Sequence, residues 1–318
     1  MKKLLAAALA TLPALALAQG VAWVSSEKDA ALTLLDLGKQ EVVGTVATCK
    51  RPRHMMLSPD RKQLLVACSD SSQLDVIDVA TKKSVRRIPF GEDPEVFDLS
   101  PDGKTAYVGL EDDGQLAIVD MATGKTQKTI EVGKEPEGVL TSKDGRIVWV
   151  TSEVANMVHA VDVATGKVTN IKVGKRPRRF ALTPDGNQLW VTNELGASVS
   201  IIDPKTNQVT GTIEFQVPGA RSTEITPVGI TMTKDGKHAF VALGKANHVA
   251  FVDVASRKTE KLVLVGKRVW HVALDAAEAK LYAVNGLSDD LTIIDVASAK
   301  ALKTVKVGRV PYMSVLVE

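Results

Sequence analysis

Most side chains able to do chemistry in this sequence stand around one recurring proline. The residue after Pro52, Pro94, Pro136, Pro177, Pro227 and Pro311 is Arg53, Glu95, Glu137, Arg178, Val228 and Tyr312 in turn. Trp270 holds the equivalent place in a unit that lacks the proline. The residue before the proline is Arg51, Asp93, Glu135, Arg176, Thr226 and Val310, with Arg268 in the proline-free unit. His54, Arg179 and His271 follow one residue further along. Two neighbouring units are therefore acidic and the units flanking them basic; Glu111, Asp112, Asp113 and Glu153 extend the acidic side. Guanidinium forks match carboxylates, and Trp and Tyr offer flat apolar surface, so the set suits capture of a small anion or a partner's loop. The acidic arc would alternatively suit a hard cation, although no spacing resembles a calcium loop. The plainest reading is a solvated funnel of ion pairs, each worth about 0–1 kcal/mol. If the ring does capture a ligand, Arg53→Ala with Arg178→Ala should abolish capture and leave melting almost unchanged.

Motifs of catalysis are missing. The chain has no H-E-x-x-H helix, C-x-x-C-H haem site, G-x-S-x-G elbow, G-x-G-x-x-G turn or P-loop. Of the five histidines, His159 and His238 fall within expected strands, while His54, His248 and His271 fall on one face by position. Three histidines there would allow acid–base work, and a propeller enzyme of lactonase or lyase type is the alternative function, by fold analogy only. The balance favours a binding protein over an enzyme, with no cofactor or metal assigned.

The scaffold that must gather these residues is written as a repeat. An aspartate ending an apolar run recurs at Asp36, Asp78, Asp120, Asp162, Asp203, Asp253 and Asp295, at spacings of 42, 42, 42, 41, 50 and 42. A period near 42 with several short strands per unit marks a β-propeller with one four-stranded blade per repeat. The expected fold is all-β: a seven-bladed propeller of antiparallel blades, its ring closed by N-terminal strands plus a C-terminal inner strand. Strand A of each blade lines the channel, so the proline-flanking residues should ring its mouth. Turns such as Ser100-Pro101-Asp102-Gly103-Lys104 and Asp120-Met121-Ala122-Thr123-Gly124-Lys125 punctuate the blades, and the repeated aspartates cap them. Strand B carries Trp23, Tyr107, Trp149, Trp190, Phe240 and Tyr282 at one repeat position, which reads as blade-to-blade packing. The 50-residue interval holds an insertion over residues 216–226, with Arg221 and Glu224, expected to stand over the mouth.

Composition bounds the rest. Lys2 and Lys3, an apolar run from Leu4 to Leu17 and Ala16-Leu17-Ala18 read as a secretory leader over residues 1–18, leaving one domain over 19–318 that starts at Gln19. The expected product is periplasmic, monomeric and without a membrane span. A formal charge of +3 gives no reason to expect nucleic acid. Export allows the two cysteines, Cys49 and Cys68, to form a disulfide, with free thiols or a soft metal pair as alternatives.

The strand B segments Trp149-Val150-Thr151-Ser152 and Trp190-Val191-Thr192-Asn193, with the proline-aspartate-glycine turns, resemble the YVTN-type β-propeller repeat family over the whole mature chain. Within it, Cys49-Lys50-Arg51-Pro52-Arg53 and Cys68-Ser69-Asp70 resemble the propellers associated with PQQ-dependent alcohol catabolism. That resemblance implies a periplasmic accessory role. The partner would be a quinoprotein dehydrogenase, or an associated electron-transfer or transport component, alongside a small anionic ligand. It does not imply PQQ binding. Some periplasmic YVTN-type propellers suggest single-stranded nucleic-acid binding, a further alternative that near-neutral charge weakens.

Overall fold

The computed structural model describes residues 20–318; the expected leader, its cleavage site and Gln19 lie outside the described residues. Seven four-stranded antiparallel sheets form the blades. Blade 2 shows the pattern: strand A is Pro52–Leu57, B is Gln63–Cys68, C is Gln73–Asp78 and D is Lys83–Pro89. Leu64 through Cys68 are all buried, because strand B is pressed between two neighbouring blades. Strand D lies at the rim, and only Ile88 of its seven residues is buried. Trp23, Tyr107, Trp149, Trp190, Phe240 and Tyr282 are all buried between blades.

Blade 1 is assembled from both ends of the described chain. Its outer three strands are Val21–Ser26, Ala31–Asp36 and Glu41–Ala47; its inner strand is Pro311–Val317, paired antiparallel from Val21↔Val317 to Ser26↔Pro311.

All seven repeated aspartates are turn caps. Oδ1 of Asp36, Asp78, Asp120, Asp162, Asp203, Asp253 and Asp295 accepts a backbone N–H two or three residues ahead, at 2.7–2.8 Å. The Thr123 hydroxyl adds a second bond to Asp120, and these bonds hold its carboxyl below the usual range. Regular acidic residues are here a folding device, not a site.

The inner strands carry the feature that positions the mouth. Register slips between Pro52 and Met55, Pro94 and Phe97, Pro136 and Val139, and Pro177 and Phe180. A bulge frees the intervening residues from the ladder and re-aims their side chains. Arg51, Asp93, Glu135, Arg176, Arg268 and Val310 take left-handed backbone just before it, with φ of 42–55°. Two successive residues of one strand, such as Arg53 and His54, can thus both face the channel. Neighbouring inner strands come so close that a Cβ on Gly138 would lie 2.1 Å from the Arg178 carbonyl oxygen.

Candidate functional site

The charged residues form two layers at the mouth. The inner layer contains Arg53, Glu95, Glu137 and Arg178, all buried, joined by buried Glu153 and Glu194 from the B-to-C loops. Arg53 Nη1 meets Glu95 Oε1 at 2.5 Å, and Arg178 Nη1 meets Glu137 Oε1 at 2.9 Å and also Glu153. Glu137 is the hub: Arg53 Nη2 lies 3.6 Å from Oε1, and Arg179 Nη1 lies 2.9 Å from Oε2. The aromatic residues join the same lattice. Arg53 lies 4.5 Å over the Tyr312 ring, and Arg268 and Arg178 lie 4.3 and 5.5 Å over Trp270.

The outer layer is half-exposed. Arg51 reaches Asp93 at 3.5 Å, and Asp70 and Glu27 at 3.7 Å each. Arg176 bridges Glu135, Glu153 and Glu194 at 3.6, 2.5 and 3.1 Å; Arg268 shares Glu194 at 3.3 Å. Above these layers lies a cavity of about 520 Å³ that includes Leu195, Lys245 and Leu287 in its wall.

The solvated funnel expected from the sequence is therefore corrected for its inner layer. These pairs are buried, and breaking a buried pair leaves an uncompensated charge that costs about 3–5 kcal/mol. Arg53→Ala with Arg178→Ala would destabilise the protein strongly, contrary to the expectation of unchanged melting. His54 and His271 are not on the mouth: they line a separate cavity beneath the inner layer. His159 is buried and bonded to Asn170, His238 is half-exposed near Glu260, and His248 opens a strand C. Arg221 and Glu224 pair with each other at 3.1 Å on the surface, away from the mouth cavity. Their loop does not stand over the mouth; it tucks Val217 and Ile225 into the core cluster that holds Trp190 and Ala239. Glu27 and Glu194 were missed in the sequence. Their signal was present, because both stand just after strand B, as Glu111 and Glu153 do.

Cys49 and Cys68 are disulfide-bonded across a separation of 19 residues. A loop of that size adds about 3 kcal/mol, and the bond anchors the segment that delivers Arg51 and Arg53. Asp93, Glu95 and Glu111 gather ligand oxygens within 4.8 Å of one another. Arg51 and Arg53 already contact Glu95, so a cation there would compete with two guanidiniums.

Burial decides the protonation. It pushes Glu95 up to about 9, with Arg53 opposing and Glu137 and Glu111 adding to the rise. It likewise pushes Glu153 to about 8 against Arg178. Glu137 goes the other way: burial opposes, but Arg178, Arg179 and Arg53 outweigh it and hold the carboxyl low. Burial, with Arg179 assisting, drops His271 to about 3 and holds His54 well below its ordinary value. Glu95 and Glu153 bind protons more tightly folded than unfolded, so the stability they contribute is lost as pH rises through 8 and 9. The histidines bind protons less tightly when folded, so their contribution is lost as pH falls below 6.5. Above pH 6.5 the histidines are neutral in both states, so melting temperature should fall by ~5 °C towards pH 9. A scan in which it holds or rises from pH 6.5 to 9 would contradict these protonation states.

Residues 144–312 match the family model described as YNCE-like beta-propeller. No curated protein matches the chain. Hydrazine synthase of Kuenenia stuttgartiensis is similar in structure, at 22% identity and a TM-score of 0.77, covering 86% of this chain and 92% of that one. A functionally unknown protein from Desulfotomaculum acetoxidans DSM 771 is 17% identical with a TM-score of 0.79, covering 94% and 99%. The dihydro-heme d1 dehydrogenase NirN, solved in complex with DHE, is 15% identical with a TM-score of 0.70, covering 93% and 74%. At these identities the likeness is one of fold. The family match is of another kind, since it spans more than half of the sequence and covers three whole blades and the outer three strands of a fourth: the chain belongs to the YNCE-like β-propeller family.

Proposed function

We propose that this protein is an exported, non-enzymatic scaffold that docks a protein partner on its mouth face, accessory to PQQ-dependent alcohol oxidation. The observation that carries the docking reading is the make-up of that face. Val154, Leu195 and Leu287 stand 57%, 58% and 64% exposed on the B-to-C loops of three blades. They surround a half-exposed ring of both charge signs, set on a rigid buried lattice. Apolar anchors near a charged rim, on a preorganised base, suit a protein surface better than a small ion. The inner arginines are already bonded to buried glutamates of this chain and covered by Tyr312 and Trp270, which argues against free anion capture at the mouth.

The accessory role rests on the resemblance, and one contact set supports it. The segments that carry it meet in space: Cys49 is bonded to Cys68, and Arg51 lies 3.7 Å from Asp70. The enzyme reading is weakened because the mouth carboxylates and the two channel histidines line different spaces. Nucleic-acid binding is weakened by the mixed charge of the mouth.

The test is biolayer interferometry of the purified protein against a purified quinoprotein alcohol dehydrogenase from the same cells. Saturable binding should weaken at least tenfold in Leu195→Asp with Leu287→Asp, with melting unchanged. Absence of wild-type binding overturns the partner assignment. N-terminal sequencing of the periplasmic chain should begin at Gln19; a retained Met1 would remove the exported reading.

A further inference from the structure

The geometry points to a second site, inside the channel: a pocket for a small monocarboxylate with an apolar tail, its acid group held by Arg179. It lies beneath the ion-paired layer, so it stands or falls separately from the docking face.

The space is a cavity of about 270 Å³. That is just under the range of about 300–1,000 Å³ usual for small-molecule sites, which limits the occupant to a small molecule. Glycine at positions 138 and 229, one residue below the inner layer, lets the neighbouring inner strands approach closely around this space. The upper end is closed by the buried lattice of Arg53, Glu137 and Arg178. The opposite end is open: Met56, Asp98, Leu140, Ala181, Thr231, Ala273 and Val315, the equivalent residue of all seven inner strands, are each partly exposed.

Its closed end is polar and its walls are apolar. Arg179 is enclosed by protein yet faces the cavity. It is poorly compensated, because among the described residues Glu137 is its single carboxylate partner and is shared with Arg53 and Arg178. A guanidinium has five N–H groups. Nη1 donates to the carbonyl and Oε2 of Glu137, and Nη2 donates to the Tyr312 hydroxyl. Among the described residues nothing accepts from Nε or from the remaining Nη2 proton. These two donors suit the paired oxygens of a carboxylate. His54 and His271 flank them, both neutral near pH 7. His54 Nδ1 is buried with no partner among the described residues. Phe97, Phe180, Ile230 and Met313 supply the apolar wall. Asp98 guards the open end with a carboxyl already met by the N–H groups of Leu99 and Thr141, at 2.8 and 2.7 Å. A second acid group on the ligand would meet that carboxyl, so a dicarboxylate is disfavoured.

The test is isothermal titration of the purified protein at pH 7 with hexanoate, hexan-1-ol, hexylammonium and adipate. Hexanoate should bind one to one, at least tenfold tighter than the other three. Arg179→Met should reduce hexanoate to the level of the alcohol. Ile230→Phe, which narrows the pocket without touching the ion lattice, should abolish binding of both. Wild-type protein that fails to bind hexanoate, or binds the alcohol equally well, overturns the proposal whatever the variants do. Undiminished hexanoate binding by a folded Arg179→Met protein overturns it too.

Discussion

Glu137→Gln should lower stability by about 3–5 kcal/mol, the cost of breaking a buried ion pair from one side. Equilibrium denaturation with urea is the direct measurement. The size follows from position. Glu137 is buried, and three guanidiniums converge on it: Arg178 and Arg179 at 2.9 Å and Arg53 at 3.6 Å. The amide keeps the shape but removes the one negative charge they share, and turns part of the acceptor surface into a donor facing cations. Glu135→Gln is the matched control. Glu135 sits two residues earlier, just before the inner strand begins, and it is half-exposed and pairs with Arg176 at 3.6 Å. Its loss should cost less than about 1 kcal/mol. Equal effects of the two variants would mean that water reaches the inner layer and that the mouth is a solvated funnel after all.

Removing residues 311–318 should abolish cooperative folding of the whole ring, not only of blade 1. The deleted strand pairs with Val21–Ser26 along its length and buries Tyr312, Met313 and Ser314. Its loss leaves an open sheet edge, an aggregation hazard that a closed ring avoids. It also takes Tyr312 out of the mouth, where its ring lies under Arg53 and its hydroxyl meets Arg179. Thermal melting followed by circular dichroism, with size-exclusion chromatography, should show a shallow transition and aggregates. A synthetic peptide of residues 309–318 added in excess should restore part of the melting. A truncated chain that melts like the full one would defeat this account of blade 1.

Much of the molecule was legible in the sequence, for a physical reason. A repeat of near-constant length needs only local rules: an apolar strand B, an aspartate turn and a proline-led inner strand. Their position after an apolar run makes Asp36 and its six counterparts turn caps, and each accepts a turn N–H. Six aromatics at one repeat position of strand B imply packing between blades, and all six are buried. The sequence allows Cys49 and Cys68 a disulfide, free thiols or a soft metal pair, and the sulfurs are joined. Arg51, Arg53, Asp93, Glu95, Glu135, Glu137, Arg176, Arg178, Arg268, Trp270 and Tyr312 do come together at one end of the channel.

Depth along the channel was not legible. Repeat alignment says that Arg53, Glu95 and Glu137 are equivalent; it does not say whether water reaches them. The bulge after each proline turns two successive residues inward, so Arg53 joins a buried lattice while His54, its neighbour, faces a different cavity. Arg221 and Glu224 were placed at the mouth by loop length alone, but Val217 and Ile225 find an apolar seat between blades and draw the loop aside. Blade number, turn chemistry and the circle of charged positions are consequences of local periodicity, and the sequence alone determined them. Which charges lose their water, which nitrogens remain unpaired and which end of the channel stays open depend on how far seven inner strands approach one another, and only the tertiary structure decided that.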